Sequence, residues 1–341
     1  MATYHILSLD GGGIRGYLTI LLLEQLEKER PGFLEQIDLF AGTSTGSIIA
    51  LALAYGKSPS EIRGLYESEG KNIFHDSLID NIKDLGFALG AKFGNKNLKR
   101  ILTNYFGDTK LEDLKKEVLV ASFDLDHRPA DPQKPRMWKA KFFHNFRGQG
   151  SDGCLKVVDV ALCSSAAPFY FPSYQGYVDG FVVANNPSMC ALSQVVQPPD
   201  EQDENGSVHK DEGTAVAELS DIVLFSLGTG LNPRYIDDDE ADWGWIKWMI
   251  QLSPKRQWYA LPLVFMMWEG GIELANFQCR QFLGSRFHRL DPLLPQLIDI
   301  DDVKRMGLLK KIALEEDLSE TINWLDAYFE REIDPLEALA A

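Results

Sequence analysis

Five residues constrain this chain more than any others: Gly42-Thr43-Ser44-Thr45-Gly46. An apolar stretch, Ile37-Asp38-Leu39-Phe40-Ala41, precedes them, and an apolar helix-like run from Ser47 to Ala54 follows. A strand, a tight turn and a helix with a serine at the apex make the layout of a nucleophile elbow. Such a bend brings neighbouring backbone very close, and only residues without a Cβ fit on either side of the apex. Ser44 then stands at a helix N-terminus, where free N–H groups and the macrodipole favour developing negative charge.

A second glycine cluster lies upstream. His5-Ile6-Leu7-Ser8-Leu9-Asp10 reads as a strand, Gly11-Gly12-Gly13-Ile14-Arg15-Gly16 as a loop, and Leu18, Ile20 to Leu23 and Leu26 as the apolar face of a helix. Beside the serine, such a loop offers main-chain amides to the oxyanion of acyl transfer, each donor worth roughly 10²–10³ in rate. Gly11, Gly13 and Gly16 also satisfy G-x-G-x-x-G, the dinucleotide fingerprint. That reading needs an acid at the end of the second strand, where Ala41-Gly42 stand instead; Asp38 lies near its start. A nucleotide-binding protein using Gly11 to Gly16 is the alternative from a different class.

A serine hydroxyl needs a partner to take its proton. Of the six histidines, His5 lies at the wrong end of its strand, His209 falls in a polar, acidic run, and His144 has aromatic neighbours typical of a packed strand. His288, before Arg289-Leu290-Asp291-Pro292, is the best of a weak set; His75 and His127 carry no signal of their own. An acid is the stronger candidate: Asp179, in Tyr177-Val178-Asp179-Gly180-Phe181, although Asp-Gly is also an ordinary turn signal. Upstream, Ala161-Leu162-Cys163-Ser164-Ser165-Ala166-Ala167-Pro168 is rich in small residues that let a helix pack closely.

With these segments in view, the chain resembles the patatin-like phospholipases. The resembling blocks are Asp10 to Gly16, Gly42 to Gly46, Ser164 to Pro172, Asp179-Gly180 with Asn185-Asn186-Pro187, and Ser226-Leu227-Gly228-Thr229-Gly230. They follow the family's order across roughly residues 4 to 230. The resemblance implies a Ser–Asp dyad without histidine that hydrolyses lipid acyl esters: Ser44 as nucleophile, Asp179 as base. An oxyanion pocket would come from Gly11, Gly12 and Gly13, with Arg15 fixing the loop and Gly42 and Gly46 flanking the elbow. Phe181 departs from the pattern, standing where the family carries glycine or alanine. The fold implied is a three-layer α/β/α sandwich with a mainly parallel central sheet, patatin-like, in one domain over 1–341. Residues 231–341 would add helices and a candidate lid or interfacial element. A Ser–Asp–His α/β-hydrolase fits less well, because Ser44 follows only two predicted strands.

The net charge of −16, from 34 basic and 50 acidic residues, argues against nucleic acid, whose phosphates need clustered Lys and Arg. It also argues against simple attraction to anionic lipid surfaces. The substrate class expected is a phospholipid or lysophospholipid, without metal or organic cofactor. Cys154, Cys163, Cys190 and Cys279 form no ligand cluster and read as reduced and largely buried. Met1-Ala2-Thr3-Tyr4 runs straight into a strand with no secretory signal, so a cytoplasmic protein is expected. Five of the seven tryptophans lie between Trp243 and Trp268. That segment reads either as a peripheral membrane contact, since indoles favour the headgroup boundary, or as core helices. Asp299, Asp301 and Asp302 lack calcium-loop spacing. Leu308, Ile312, Ile322 and Leu325 recur at helical intervals, as in closing helices. Control of the esterase by a partner or small signal is a further reading that no residue demonstrates.

Overall fold

The computed structural model describes residues 3–73, 91–129, 133–148, 150–196, 201–202, 208–209, 217–236, 244, 248 and 262–330. Most of the Trp243–Trp268 segment, His75 and most of the acidic run 197–213 lie outside the described residues.

Apolar runs buried on both faces build the centre of the sheet. Strands β1 (Tyr4–Leu9), β2 (Leu39–Thr43), β3 (Glu117–His127), β4 (Met137–His144), β5 (Tyr177–Asp179), β6 (Ile222–Leu227) and β7 (Phe287–Leu290) form one sheet of order β4-β3-β2-β1-β6-β7. Here β1–β2, β1–β6, β2–β3 and β6–β7 are parallel, while β3–β4 and β3–β5 are antiparallel. Alternation along β1 sends Leu7 and Leu9 into one apolar cluster and Ile6 into the other. Helices therefore cover both faces, as parallel strands require. On one face pack α1 (Gly16–Glu29), α2 (Thr45–Tyr55), α3 (Pro59–Ile73), α4 (Asn95–Phe106) and α5 (Val157–Ser164). After the short α6 (Phe181–Ala184), the helices α7 (Ser188–Val195) and α8 (Pro262–Leu283) supply Ala191, Leu192, Val195, Cys279 and Leu283 to the opposite face. Helices α9 (Met306–Glu315) and α10 (Ser319–Tyr328) close the first face over α1.

The α/β sandwich expected from the two strand–glycine–helix units is the fold observed. The region after residue 230 gives more than helices, since β7 takes the sheet's edge. Its sequence Phe-His-Arg-Leu is too short and too polar to announce a strand, and tertiary pairing with β6 makes it one. Asp301 and Asp302 are spent on ion pairs with Lys92 and Arg305. Cysteines 163 and 279 are buried and all four are free, but Cys154 is exposed, against the expectation of burial. No helix among the described residues is long and apolar enough to cross a membrane.

Candidate active site

The sheet's topology delivers two side chains to one point. β3 is eleven residues long, and β4 occupies one of its edges. Its other edge is shared: β2 pairs up to Thr43↔Ala121, and β5 takes over at Asp179↔Ser122. The strands run in opposite senses, so their C-terminal ends meet. Ser44 leaves one end and Asp179 sits at the other, with the Ser44 side chain close enough to the Asp179 carboxylate to favour its ionised form.

Ser44 holds φ 55° and ψ −124°, a left-handed conformation rare outside glycine, at the N-cap of α2. Strain of this kind persists only where surroundings over-determine it. Here they do. The Ser44 amide donates to Ser164 Oγ at 2.9 Å, and Ser164 Oγ donates to the Ala121 carbonyl at 2.7 Å. The Ser44 carbonyl accepts from the Ser47 amide and hydroxyl, while Thr43 Oγ1 donates to the Ala184 carbonyl at 2.6 Å. A Cβ on Gly42 would lie 2.4 Å from the Gly46 carbonyl oxygen, and one on Gly46 would lie 2.3 Å from that of Leu9. The elbow thus closes against the end of β1.

Asp179 is 1 % exposed. Its Oδ1 accepts the Phe181 amide at 2.9 Å, and its own amide donates to Ala166. Burial pushes the carboxyl from 3.8 up to about 7, against the lowering effect of Ser44 and the Phe181 amide. The Phe181 ring, at the family-atypical position, packs with the Phe93–Ala167–Phe171 cluster and lies 5.3 Å from the Trp268 ring.

The glycine loop borders the serine from the β1 side. A Cβ on Gly11 would come within 3.2 Å of Ser44 Cβ. Gly11 itself is committed: its amide donates to the Asn185 carbonyl, and its carbonyl accepts from Asn185 Nδ2 and Thr229 Oγ1. The amides of Gly12 and Gly13 find no acceptor among the described residues. The Arg15 side chain turns away behind the loop, donating to the Gly230 carbonyl at 2.9 Å. Gly13, Ser44 and Thr45 line a narrow cavity otherwise walled largely by apolar groups, among them Ile48, Leu65, Ile73, Leu98, Leu102 and Phe171.

Behind the loop lies a pairing invisible in the sequence. Arg289 of β7 donates to Asp10, Asp291 and Ser226, with side chains 5 %, 2 % and 7 % exposed for Arg289, Asp10 and Asp291. Burial raises the Asp10 carboxyl to about 6 despite the opposing guanidinium. Asp291 Oδ1 also accepts the Gly230 amide. Ser164, Asn185, Thr229 and Arg289 were thus absent from the sequence-based set of site residues. Ser164, Asn185 and Thr229 lay inside resembling blocks, but nothing local signals Arg289.

Of the histidines, His288 bonds Thr321 Oγ1 at 2.9 Å and stacks between Phe225 and Trp324. His144 packs on Phe146, and His5 contacts the Tyr328 carbonyl at the strand's other end. His127 faces Asp124 on the β3 extension. Asp38, the acid weighed for ribose recognition, accepts the His5 amide.

Residues 7–192 match the patatin-like phospholipase family, over half of the chain and across both Ser44 and Asp179. The chain belongs to that family. CotR of Bacillus subtilis is 32% identical over 317 residues, covering 88% of this chain and 91% of its own length. A cGAMP-activated phospholipase of Pseudomonas aeruginosa is 37% identical over 199 residues, 57% of each chain. The 85/88 kDa calcium-independent phospholipase A2 of Mus musculus is 28% identical over 334 residues, 90% of this chain and 38% of the mouse protein. As a patatin-like phospholipase the chain is a lipid hydrolase by family.

Proposed function

We propose that this protein hydrolyses carboxylic esters of phospholipids or lysophospholipids through a Ser44–Asp179 dyad and an acyl-enzyme. The observation that carries the reading is the contact between a strained serine and a buried carboxylate whose affinity for a proton is raised to about 7. An ordinary aspartate near 3.9 is a poor base for a hydroxyl. A carboxylate titrating near neutrality combines an available ionised form with a useful driving force for proton transfer.

Asp179 accepts the Ser44 proton as Oγ attacks the ester carbonyl. Charge moving to the carbonyl oxygen meets the open amides of Gly12 and Gly13 and the N-terminus of α2. Asp179 then returns the proton to the leaving alcohol, and the acyl group stays on Ser44. In the second half Asp179 deprotonates a water, which attacks the acyl-enzyme and frees the fatty acid. The apolar cavity beside Ser44 is of the right character for the acyl chain. Gly11 shapes the wall rather than donating, and Arg15 supports the loop through Gly230.

The test is mass spectrometry of products released from a mixed phospholipid substrate, comparing wild type with Ser44→Ala. A short-chain p-nitrophenyl ester assay with chelator and with a fluorophosphonate accompanies it. Free fatty acid that appears with wild type only, insensitive to chelator and lost with the fluorophosphonate, is the expected result. Equal release by Ser44→Ala overturns the proposal.

A further inference from the structure

Arg15 is an anomaly: a guanidinium only 5 % exposed, with one of its five donors bonded, to the Gly230 carbonyl, and no ion-paired carboxylate among the described residues. Buried charges in folded proteins are paired, because a bare one forfeits its hydration for nothing. Arg15 borders a cavity of about 160 Å³ behind the glycine loop, several times the ~30 Å³ share of a water. This cavity has no lining residue in common with the one beside Ser44.

Two more unsatisfied donors stand in the same walls. The Nε–H groups of Arg15 and Arg234 and the indole N–H of Trp268 are all buried without an acceptor among the described residues. They arrive from three places: the turn after β1, the segment after β6, and α8. The carboxylates that also line the cavity are already engaged. Asp10 and Asp291 hold Arg289, Glu269 takes Arg234 Nη1, and Glu273 accepts from Asn276 at 3.5 Å. What remains, among the described residues, is three buried N–H groups without an acceptor beside an Arg15 guanidinium that lies 5.9 Å over the Trp268 ring and is influenced by Asp291, Glu269 and Asp299 without forming an ion pair with any of them.

We infer that this cavity binds a phosphate-type oxyanion, in a site separate from the Ser44 cavity. Donors from three directions need more than the two coplanar oxygens of a carboxylate, and a phosphate group presents three or four. Arg15 supplies the unpaired charge, Arg234 a second guanidinium edge, and Trp268 a directional donor that excludes groups without an acceptor. Free phosphate and the phosphodiester of a lipid headgroup share this chemistry.

Titration calorimetry on the full chain decides, using inorganic phosphate and glycerophosphocholine separately, each against chloride at matched ionic strength. Phosphate should bind saturably in the millimolar range or tighter. Affinity should be unchanged in Ser44→Ala, fall about tenfold or more in Arg234→Gln, and fall several-fold in Trp268→Phe, which keeps the ring but loses the N–H. Glycerophosphocholine binding weakened by the same variants assigns the site to a lipid headgroup, and phosphate binding alone assigns it to the free ion. Thermal unfolding of each variant checks folding, and if Arg234→Gln does not fold, Trp268→Phe decides. Absence of saturable binding by either probe, wild-type affinity in folded variants, or loss of binding in Ser44→Ala overturns the inference. Because Ser44→Ala abolishes the proposed turnover yet should retain this binding, failure of one reading is distinguishable from failure of the other.

Discussion

Thr43 and Asp179 pair with adjacent residues of a single strand edge, Thr43 with Ala121 and Asp179 with Ser122. Two strands whose ends lie 136 positions apart in the chain therefore end against one another, and the residue after Thr43 is Ser44. The proposed dyad is held by main-chain pairing, the most rigid positioning a sheet offers. Gly180 is tied to the same place, since a Cβ there would lie 2.3 Å from the Ala121 carbonyl oxygen.

Ser44→Ala and Asp179→Asn should each lower kcat roughly a thousandfold or more, with circular dichroism unchanged. His288→Gln should change kcat less than about threefold, because its partners are Thr321 and two aromatic rings. Near wild-type turnover in Asp179→Asn would remove the dyad and return His288 to contention.

The raised Asp179 carboxyl fixes the sign of two pH effects. As a base it works only when ionised, so kcat/KM should climb with pH and level off above an apparent value near 7. For stability the folded state holds this proton more tightly than the unfolded chain does. Stability should therefore fall as pH rises from about 4 to 7 and flatten above, by about 4 kcal/mol at most from this group. Asp179→Asn cancels the effect. Its melting temperature should exceed that of wild type near pH 8, and the gap should close near pH 4.

Gly46→Ala and Gly12→Ala should both cost stability and differ in their effect on turnover. At Gly46 the added Cβ meets the main chain, at 2.3 Å from the Leu9 carbonyl oxygen, which cannot rotate away. We expect a loss of about 1–3 kcal/mol in urea unfolding. At Gly12 it would lie 2.2 Å from Thr229 Oγ1 and 2.7 Å from Thr229 Cβ, so Thr229, which bonds the Gly11 carbonyl, must shift. That variant should also lose about 1–3 kcal/mol, and kcat should fall further than in Gly46→Ala if the Gly12 amide serves the oxyanion.

Arg289→Met leaves Asp10 and Asp291 buried without their cation. A destabilisation of about 3–5 kcal/mol is expected at neutral pH. The loss should shrink on acidification, as Asp10, raised by burial and no longer held down by the guanidinium, takes up a proton, since a neutral carboxyl tolerates burial. Chemical denaturation at several pH values measures both.

Leu65→Trp fills the cavity beside Ser44 from its α3 wall, where Leu65 is only partly buried. Turnover of long-chain esters should fall several-fold relative to short-chain esters. An unchanged chain-length profile would place the acyl chain elsewhere.

Local chemistry wrote much of this protein into its sequence. The two strand–glycine–helix units, the strained serine between glycines and the acid before Gly180 were legible because each imposes its geometry within a few residues. What the sequence could not disclose depends on partners far along the chain. β7 is a strand because β6 is beside it, Arg289 is buried because Asp10 waits 279 positions upstream, and the Asp179 carboxyl is raised to about 7 because folding strips water from it. Phe181, a departure when read in one dimension, packs against an α8 tryptophan in three. Short-range sterics fixed the turns, and long-range pairing and desolvation, which exist only once the chain has closed on itself, decided which groups meet and how tightly they hold their protons.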